Sequence, residues 1–265
     1  MCRGVSSSGF AVRTVHTVLT WGVTAVLFIY ETEVYDQGHF WKPLTFVFLV
    51  LCSVLLYFAV SLMDPGYVLS DPDVKHLSTN TEQVVMIQQS PARVRLRRCG
   101  YCFIQQPMRA RHCQSCQHCV RRFDHHCPWI ENCVGEKNHP LFIMYLIVQL
   151  IVLFWAFQLT WSGFRFEASW TEWLRINLFL LLAFMLTGIF TVVVALLLGC
   201  HCYLISCNVT TWEFMSHHRI SYLKHFDSDI NPFDKGIVRN LWEFFCTSGI
   251  VGWEQIYFRE TYVNV

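Results

Sequence analysis

Charge is what this chain has little of. Only 15% of its 265 residues are charged, against 54% hydrophobic and 16% aromatic, and the mean hydropathy is positive. That balance excludes a soluble domain of this size, which would carry about 25% charged residues. Asp, Glu, Lys and Arg are missing altogether from residues 44–63, 141–161 and 178–199, each run long enough to cross a bilayer as a helix. A fourth candidate span, 10–30, carries Arg13 and His16, so Arg13 must snorkel to an interface. A signal peptide is the competing reading of this first stretch, but the apolar run is long and has no clear small-residue cleavage site. The centres of the other three spans lack ionisable groups, which leaves a metal-transport reading without the side chains an ion pathway needs. Nothing resembles a nucleic-acid-binding module, and the basic run Arg93, Arg95, Arg97, Arg98 reads as a juxtamembrane surface facing anionic membrane lipid.

Positive charge orients the spans. Lys and Arg number 2 before the first span counting Arg13, 10 between Asp64 and Pro140, and 5 after Cys202, whereas the two opposite loops carry only Lys42, Arg165 and Arg175. Both termini and the 64–140 segment are therefore expected in the cytosol. Span lengths near 20 residues suit an ER or Golgi bilayer better than the thicker plasma membrane. The sequence holds 13 cysteines; in the cytosol a dense cluster of them argues for metal or catalysis rather than disulfides.

Seven of those cysteines lie between Cys99 and Cys133, and they repeat. Cys99, Cys102, His112 and Cys119 form C-x2-C-x9-H-x6-C; a shift of 14 residues gives Cys113, Cys116, His126 and Cys133, the same types again. Two Cys3His sets of this kind suit two structural Zn2+ ions, which accept four tetrahedral S and N ligands. Because the second set begins before the first ends, short interleaved hairpins are expected, with zinc supplying most of the folding energy of a segment poor in apolar residues. Three groups in the window remain: His118, His125 and Cys127. Cys127 stands 14 residues after Cys113, but position 130 is Ile, so no third ligand pair follows.

In an extended strand residues i and i+2 share a face. His125 and Cys127 then face one way and His126 the other, toward zinc. A thiol beside an imidazole is the arrangement of an activated cysteine nucleophile, and Asp124 is a natural third member, fixing the ring tautomer if the backbone bends there. A spare buried thiol beside a zinc site is the competing reading of the same spacing.

The pattern C-x2-C-x9-H-C-x2-C-x2-C-x4-D-H-H-C-x5-C-x4-N from Cys99 to Asn138 resembles the cysteine-rich domain of the DHHC-type protein S-acyltransferases, the palmitoyltransferases. Three smaller signatures extend the likeness over nearly the whole chain: Asp64-Pro65-Gly66, Thr210-Thr211-Trp212-Glu213 and Asn231-Pro232-Phe233-Asp234-Lys235-Gly236. Each also has a plain reading, the first as a turn ending a membrane helix and the second as a capping box with Thr210 at N-cap and Glu213 at N3.

The resemblance implies an all-α integral membrane protein. Four transmembrane helices would flank a cytosolic zinc-binding cysteine-rich domain of short hairpins between helices two and three. The expected divisions are residues 1–63 with helices at about 10–30 and 44–63, a linker at 64–98, the zinc domain at 99–140, helices at about 141–161 and 176–202, and a tail at 203–265. It further implies acyl transfer from a long-chain acyl-CoA such as palmitoyl-CoA, through an S-acyl intermediate on Cys127 with His125 and Asp124 assisting, to cytosolic cysteines of membrane-associated substrate proteins. Thr211 would approach Asp124, and Asn231 would anchor the tail against the spans. By residue type Trp129 suits either the lining of the acyl entrance or an interfacial anchor. The rival reading is a catalytically silent, zinc-structured membrane adaptor. Cys2, Cys200, Cys202 and Cys207 lie near membrane ends, where they could themselves be acylated.

Overall fold

The computed structural model describes residues 7–30, 32, 41–68, 97–224, 226 and 230–246. Cys2, Arg93, Arg95 and most of the 64–98 linker lie outside the described residues. Four helices are long and apolar enough to cross a membrane: α1 (Ser7–Ile29), α2 (Trp41–Leu62), α3 (His139–Ser162) and α4 (Trp170–Ser206). Between α2 and α3 lie two hairpins, β1 (Arg111–Cys113) with β2 (His118–Val120) and β3 (His125–Cys127) with β4 (Asn132–Val134). After α4 come α5 (Thr211–Ser216) and α6 (Ile237–Cys246). The protein is a mostly helical, multi-pass membrane protein with its cysteine-rich region between the second and third spans.

Arg13 is accommodated at the edge of the bundle. Its Nε donates to Ser61 Oγ at 2.7 Å, and Ser61 Oγ donates in turn to the Ile130 carbonyl at 2.7 Å. One charged residue of α1 thus meets the end of α2 and the hairpin turn together, and a hydrogen bond inside the protein replaces water around the guanidinium.

The helix α4 differs from the expected span. It has 37 residues, about 55 Å at 1.5 Å per residue, and it begins early enough to include Arg175, which pairs with Glu172 one turn before it at 3.2 Å. Hydrophobicity marks only the part of a helix that lies in hydrocarbon, about 30 Å. The rest continues because Asn177 holds the preceding loop, accepting from Arg165 N and donating to Arg165 O at 3.0 and 2.9 Å.

The Asp64-Pro65-Gly66 stretch is a turn and also a docking point. Asp64 Oδ1 accepts from Gly66 N and Tyr67 N at 2.9 Å each, and Asp64 Oδ2 accepts from Lys137 Nζ at 2.7 Å. Burial would raise the Asp64 carboxyl, but the hydrogen bonds and the charge of Lys137 hold it below its ordinary value. Gly66 has φ 107°, a conformation that favours glycine, and its carbonyl accepts from Arg121 N at 2.8 Å. Gly135 is needed for closeness instead. A Cβ there would lie 2.5 Å from Val120 and 2.7 Å from the Pro65 carbonyl.

Candidate active site

The 14-residue repeat of the sequence is a repeat of structure. In the first hairpin His112 pairs with Cys119 and Cys113 with His118; in the second His126 pairs with Cys133 and Cys127 with Asn132. Phe103, Gln117 and Glu131, spaced by 14, share a left-handed backbone at φ 57°, 57° and 49°. The turn after Cys127 therefore keeps the conformation of the two cysteine knuckles. Where those turns present a second thiol, this one presents Ile130, only 1% exposed, and packing replaces the metal.

Cys99, Cys102, His112 and Cys119 converge in one cluster and Cys113, Cys116, His126 and Cys133 in another, the potential ligand atoms of each lying within 4.8 Å of one another. In the first, Cys102 Sγ and Cys119 Sγ lie 3.2 and 3.9 Å from His112 Nδ1. In the second, Cys116 Sγ and Cys133 Sγ lie 3.5 and 3.6 Å from His126 Nδ1. Zinc bonds of 2.0–2.3 Å arranged tetrahedrally set ligand atoms roughly 3.3–3.8 Å apart. Backbone N–H groups of Cys102 and Cys116 point at the sulfurs of Cys99 and Cys113 at 3.4 Å each, which favours thiolates there. The two clusters are suited to two zinc ions. His118 belongs to neither; its Nδ1 lies 2.7 Å from the Cys116 carbonyl.

The remaining groups meet on the other side of β3. Asp124 is 1% exposed. Its Oδ2 is 2.7 Å from His125 Nδ1 and accepts from Thr211 Oγ1 at 2.8 Å, while Oδ1 accepts from Thr211 N at 2.8 Å. With Nδ1 engaged, Nε2 is the ring nitrogen left for Cys127. Burial works against the charge of Asp124, but the imidazoles of His139, His125 and His201 around it hold the carboxyl well below the usual carboxylate range. Burial likewise disfavours imidazolium at His125, yet hydrogen bonding to Asp124 and Cys127 and the charge of Asp124 push its pKa up to about 9.

Cys127 is buried in an apolar cluster shared with Tyr57 and Val60 of α2, Phe142, Ile143 and Leu146 of α3, and Val194 and Ile205 of α4. The turn beyond it runs beside the spans. Trp129 is exposed, its ring stands edge-on to Phe190 of α4 at 6.4 Å, and its carbonyl accepts from Tyr57 OH at 3.2 Å. Asn231 donates through Nδ2 to the carbonyl of Cys207, just past α4, and accepts from Phe233 N at 3.0 Å.

Three features around the site had no signal in the sequence. The capping box is present, with Glu213 N donating to Thr210 Oγ1 at 3.2 Å and Thr210 N to Glu213 Oε2 at 2.9 Å, but Glu213 also pairs with fully buried Arg109 at 2.6 Å. Asn208 Oδ1 accepts from both Arg109 and Arg122, at 3.2 and 3.1 Å. His201 of α4 sits with its ring 5.7 Å from that of His125 and hydrogen-bonds His139 at 3.3 Å. Arg109, Arg122 and His201 have no spacing that distinguishes them from an ordinary surface Arg or helix-end His, and the capping box by itself gives no sign that Glu213 takes a buried Arg.

Residues 93–218 match the family described as DHHC palmitoyltransferase. The chain is 53% identical over 257 residues to the human protein named Palmitoyltransferase ZDHHC12, covering 96% of this chain and 94% of that protein. It is 52% identical over 270 residues to the zebrafish (Danio rerio) Palmitoyltransferase ZDHHC12-A, covering all of both. To the Arabidopsis thaliana Protein S-acyltransferase 10 it is 28% identical over 261 residues, 83% of this chain and 76% of the relative. With two zinc-suited clusters between the second and third of four spans, and these identities along nearly its full length, the chain belongs to the DHHC palmitoyltransferase family and is a protein S-acyltransferase.

Proposed function

We propose that Cys127 is the acyl-accepting nucleophile of this enzyme, with His125 as its proton partner and Asp124 as the orienting carboxylate. The observation that carries the proposal is the chain of contacts from Thr211 through Asp124 to His125, ending at a cysteine that neither zinc-suited cluster uses. In the first step the Cys127 sulfur, its proton held on His125, attacks the thioester carbon of a long-chain acyl-CoA. The carbon–sulfur bond to CoA breaks, and His125 returns the proton to the departing CoA sulfur. In the second step a substrate cysteine gives its proton to His125 and takes the acyl group, leaving Cys127 as thiolate. One thioester replaces another, so no nucleotide is consumed. Thr211 fixes the Asp124 carboxylate through two hydrogen bonds, and Asp124 fixes the His125 tautomer.

The eight residues Cys99, Cys102, His112, Cys119, Cys113, Cys116, His126 and Cys133 would hold two zinc ions, whose contribution is to fix the hairpins rather than to react. The apolar cluster around Cys127 supports an acyl chain running up between α2, α3 and α4. Burying about fifteen methylenes is worth roughly 12 kcal/mol, which a water-exposed site would forfeit. On this reading Trp129 stands at the acyl entrance and Asn231 ties the tail to the end of α4.

The distribution of Lys and Arg supports cytosolic termini and a cytosolic zinc domain, and the apolar span lengths support an ER or Golgi membrane. Its substrates would then be membrane-associated proteins with cytosolic cysteines, and the basic juxtamembrane run would meet anionic lipid. The domain limits at residues 63, 98, 140 and 202 follow the same division into spans, linker, zinc domain and tail.

The test is incubation of the purified protein with labelled palmitoyl-CoA. Label is expected on the enzyme through a hydroxylamine-sensitive bond, and it should be absent from Cys127→Ser. Equal labelling of Cys127→Ser would overturn the assignment and leave the adaptor reading in place for this cysteine.

A further inference from the structure

The helix α6 has three faces of different character. Asn240 and Phe244, one turn apart, are buried: Asn240 Nδ2 donates to the carbonyl of Ser206 at 2.7 Å, and the Phe244 ring stands edge-on to His139 at 5.0 Å. On the polar side Glu243 accepts from Arg239 at 3.1 Å and from Lys235 at 2.7 Å. At 100° per residue, Ile237, Val238, Leu241, Trp242 and Phe245 form a third, continuous stripe. Their exposures are 63%, 84%, 37%, 67% and 46%.

We propose that α6 lies in the plane of the membrane surface, with Ile237, Val238, Leu241, Trp242 and Phe245 set among the phospholipids at the headgroup boundary. Ser206 is the last residue of α4 and His139 the first of α3. A helix that touches the first through residue 240 and the second through residue 244 is laid across the ends of both spans. Those ends are close to hydrocarbon, since the apolar run of α3 begins at Leu141 and that of α4 reaches Gly199. Outward-facing apolar side chains of α4 continue toward the same end through Leu196 and Tyr203, 66% and 60% exposed. That outward row runs to the end of α4 that Asn240 of α6 contacts at Ser206. Five large apolar side chains on ten residues, with tryptophan among them and an ion-paired polar side, match an interfacial helix.

Such an anchor has a consequence for the site. Phe244 belongs to the same apolar cluster as Cys127 and Phe142, so lipid seating of α6 would hold that cluster at a fixed depth relative to the bilayer.

The test uses the full-length, zinc-containing protein in nanodiscs with a tritiated phospholipid. Photoreactive benzoylphenylalanine replaces Val238, Trp242 or, as the polar-side control, Arg239. All three side chains point outward, and zinc content checks the fold of each variant. Irradiation is expected to attach lipid label at 238 and at 242 several-fold above the level at 239. Label at or below the control at either position overturns the proposal, whether the probe joins residues 247–265, a second copy of the chain or nothing. Because the readout is lipid capture, the result stands apart from the assignment of Cys127.

Discussion

At the scale of single residues, the site depends on what each ring nitrogen and thiol is left free to do. His125 and His126 are neighbours with opposite duties: His126 turns Nδ1 to three sulfurs, while His125 turns Nδ1 to Asp124. His125→Ala should keep its zinc but form S-acyl enzyme about 10²–10⁴-fold more slowly near neutral pH. Raising the pH should restore part of the rate, because hydroxide can remove the proton that His125 no longer takes. Self-acylation of zinc-replete His125→Ala at the wild-type rate would remove His125 from the mechanism. Stability carries its own sign. The His125 pKa is raised from 6.5 to about 9, so the stabilisation from its pairing with Asp124 is complete below about 6.5 and is lost as pH rises through about 9. The melting temperatures of wild type and His125→Ala should converge over that interval.

At the scale of elements, three turns 14 residues apart share one backbone conformation, and their side chains divide the work. Two close on clusters of sulfur and nitrogen; the third closes on Ile130 and leaves Cys127 facing the spans. Cys113→Ser would remove one of the proposed zinc ligands, so it should release metal and unfold the hairpins. Cys127→Ser should hold about two zinc ions per chain, the content expected of wild type. Elemental analysis of the purified variants decides this, and equal zinc loss from both would show that Cys127 is a ligand. The hairpins were legible in sequence because the repeat is exact in residue type. The length of α4 was not, since its first two turns carry Glu172 and Arg175 and lie outside the charge-free run, while Asn177 ties them to the preceding loop through Arg165.

At the scale of the whole molecule, the tail closes over the zinc region through buried charge. Arg109, in the cysteine-rich region, joins Glu213 of α5 and Asn208 between α4 and α5. Asn208 is 3% exposed, and its Nδ2 donates to the Phe233 carbonyl at 2.9 Å. The sequon Asn208-Val209-Thr210 should therefore stay unmodified in cells, because the folded protein hides its amide and, in the proposed orientation, the tail would never meet the lumenal transferase. Glycosidase treatment is expected to leave the mass of the protein unchanged, and a shift abolished by Asn208→Gln would overturn the cytosolic orientation.

The sequence alone determined the four apolar spans, the two interleaved Cys3His sets and the odd cysteine, because hydrocarbon length and tetrahedral ligation are written in residue type and spacing. It also placed the capping box at Thr210 and Glu213, a local motif whose partners lie three residues apart. Only the tertiary structure decided what surrounds Cys127. His201 reaches His125 from a helix 76 positions later in the chain, and Arg109 finds Glu213 across 104 positions. Such pairs form because burial removes water from polar groups, and each must then take whichever partner the packing of α3, α4 and the hairpins brings within reach.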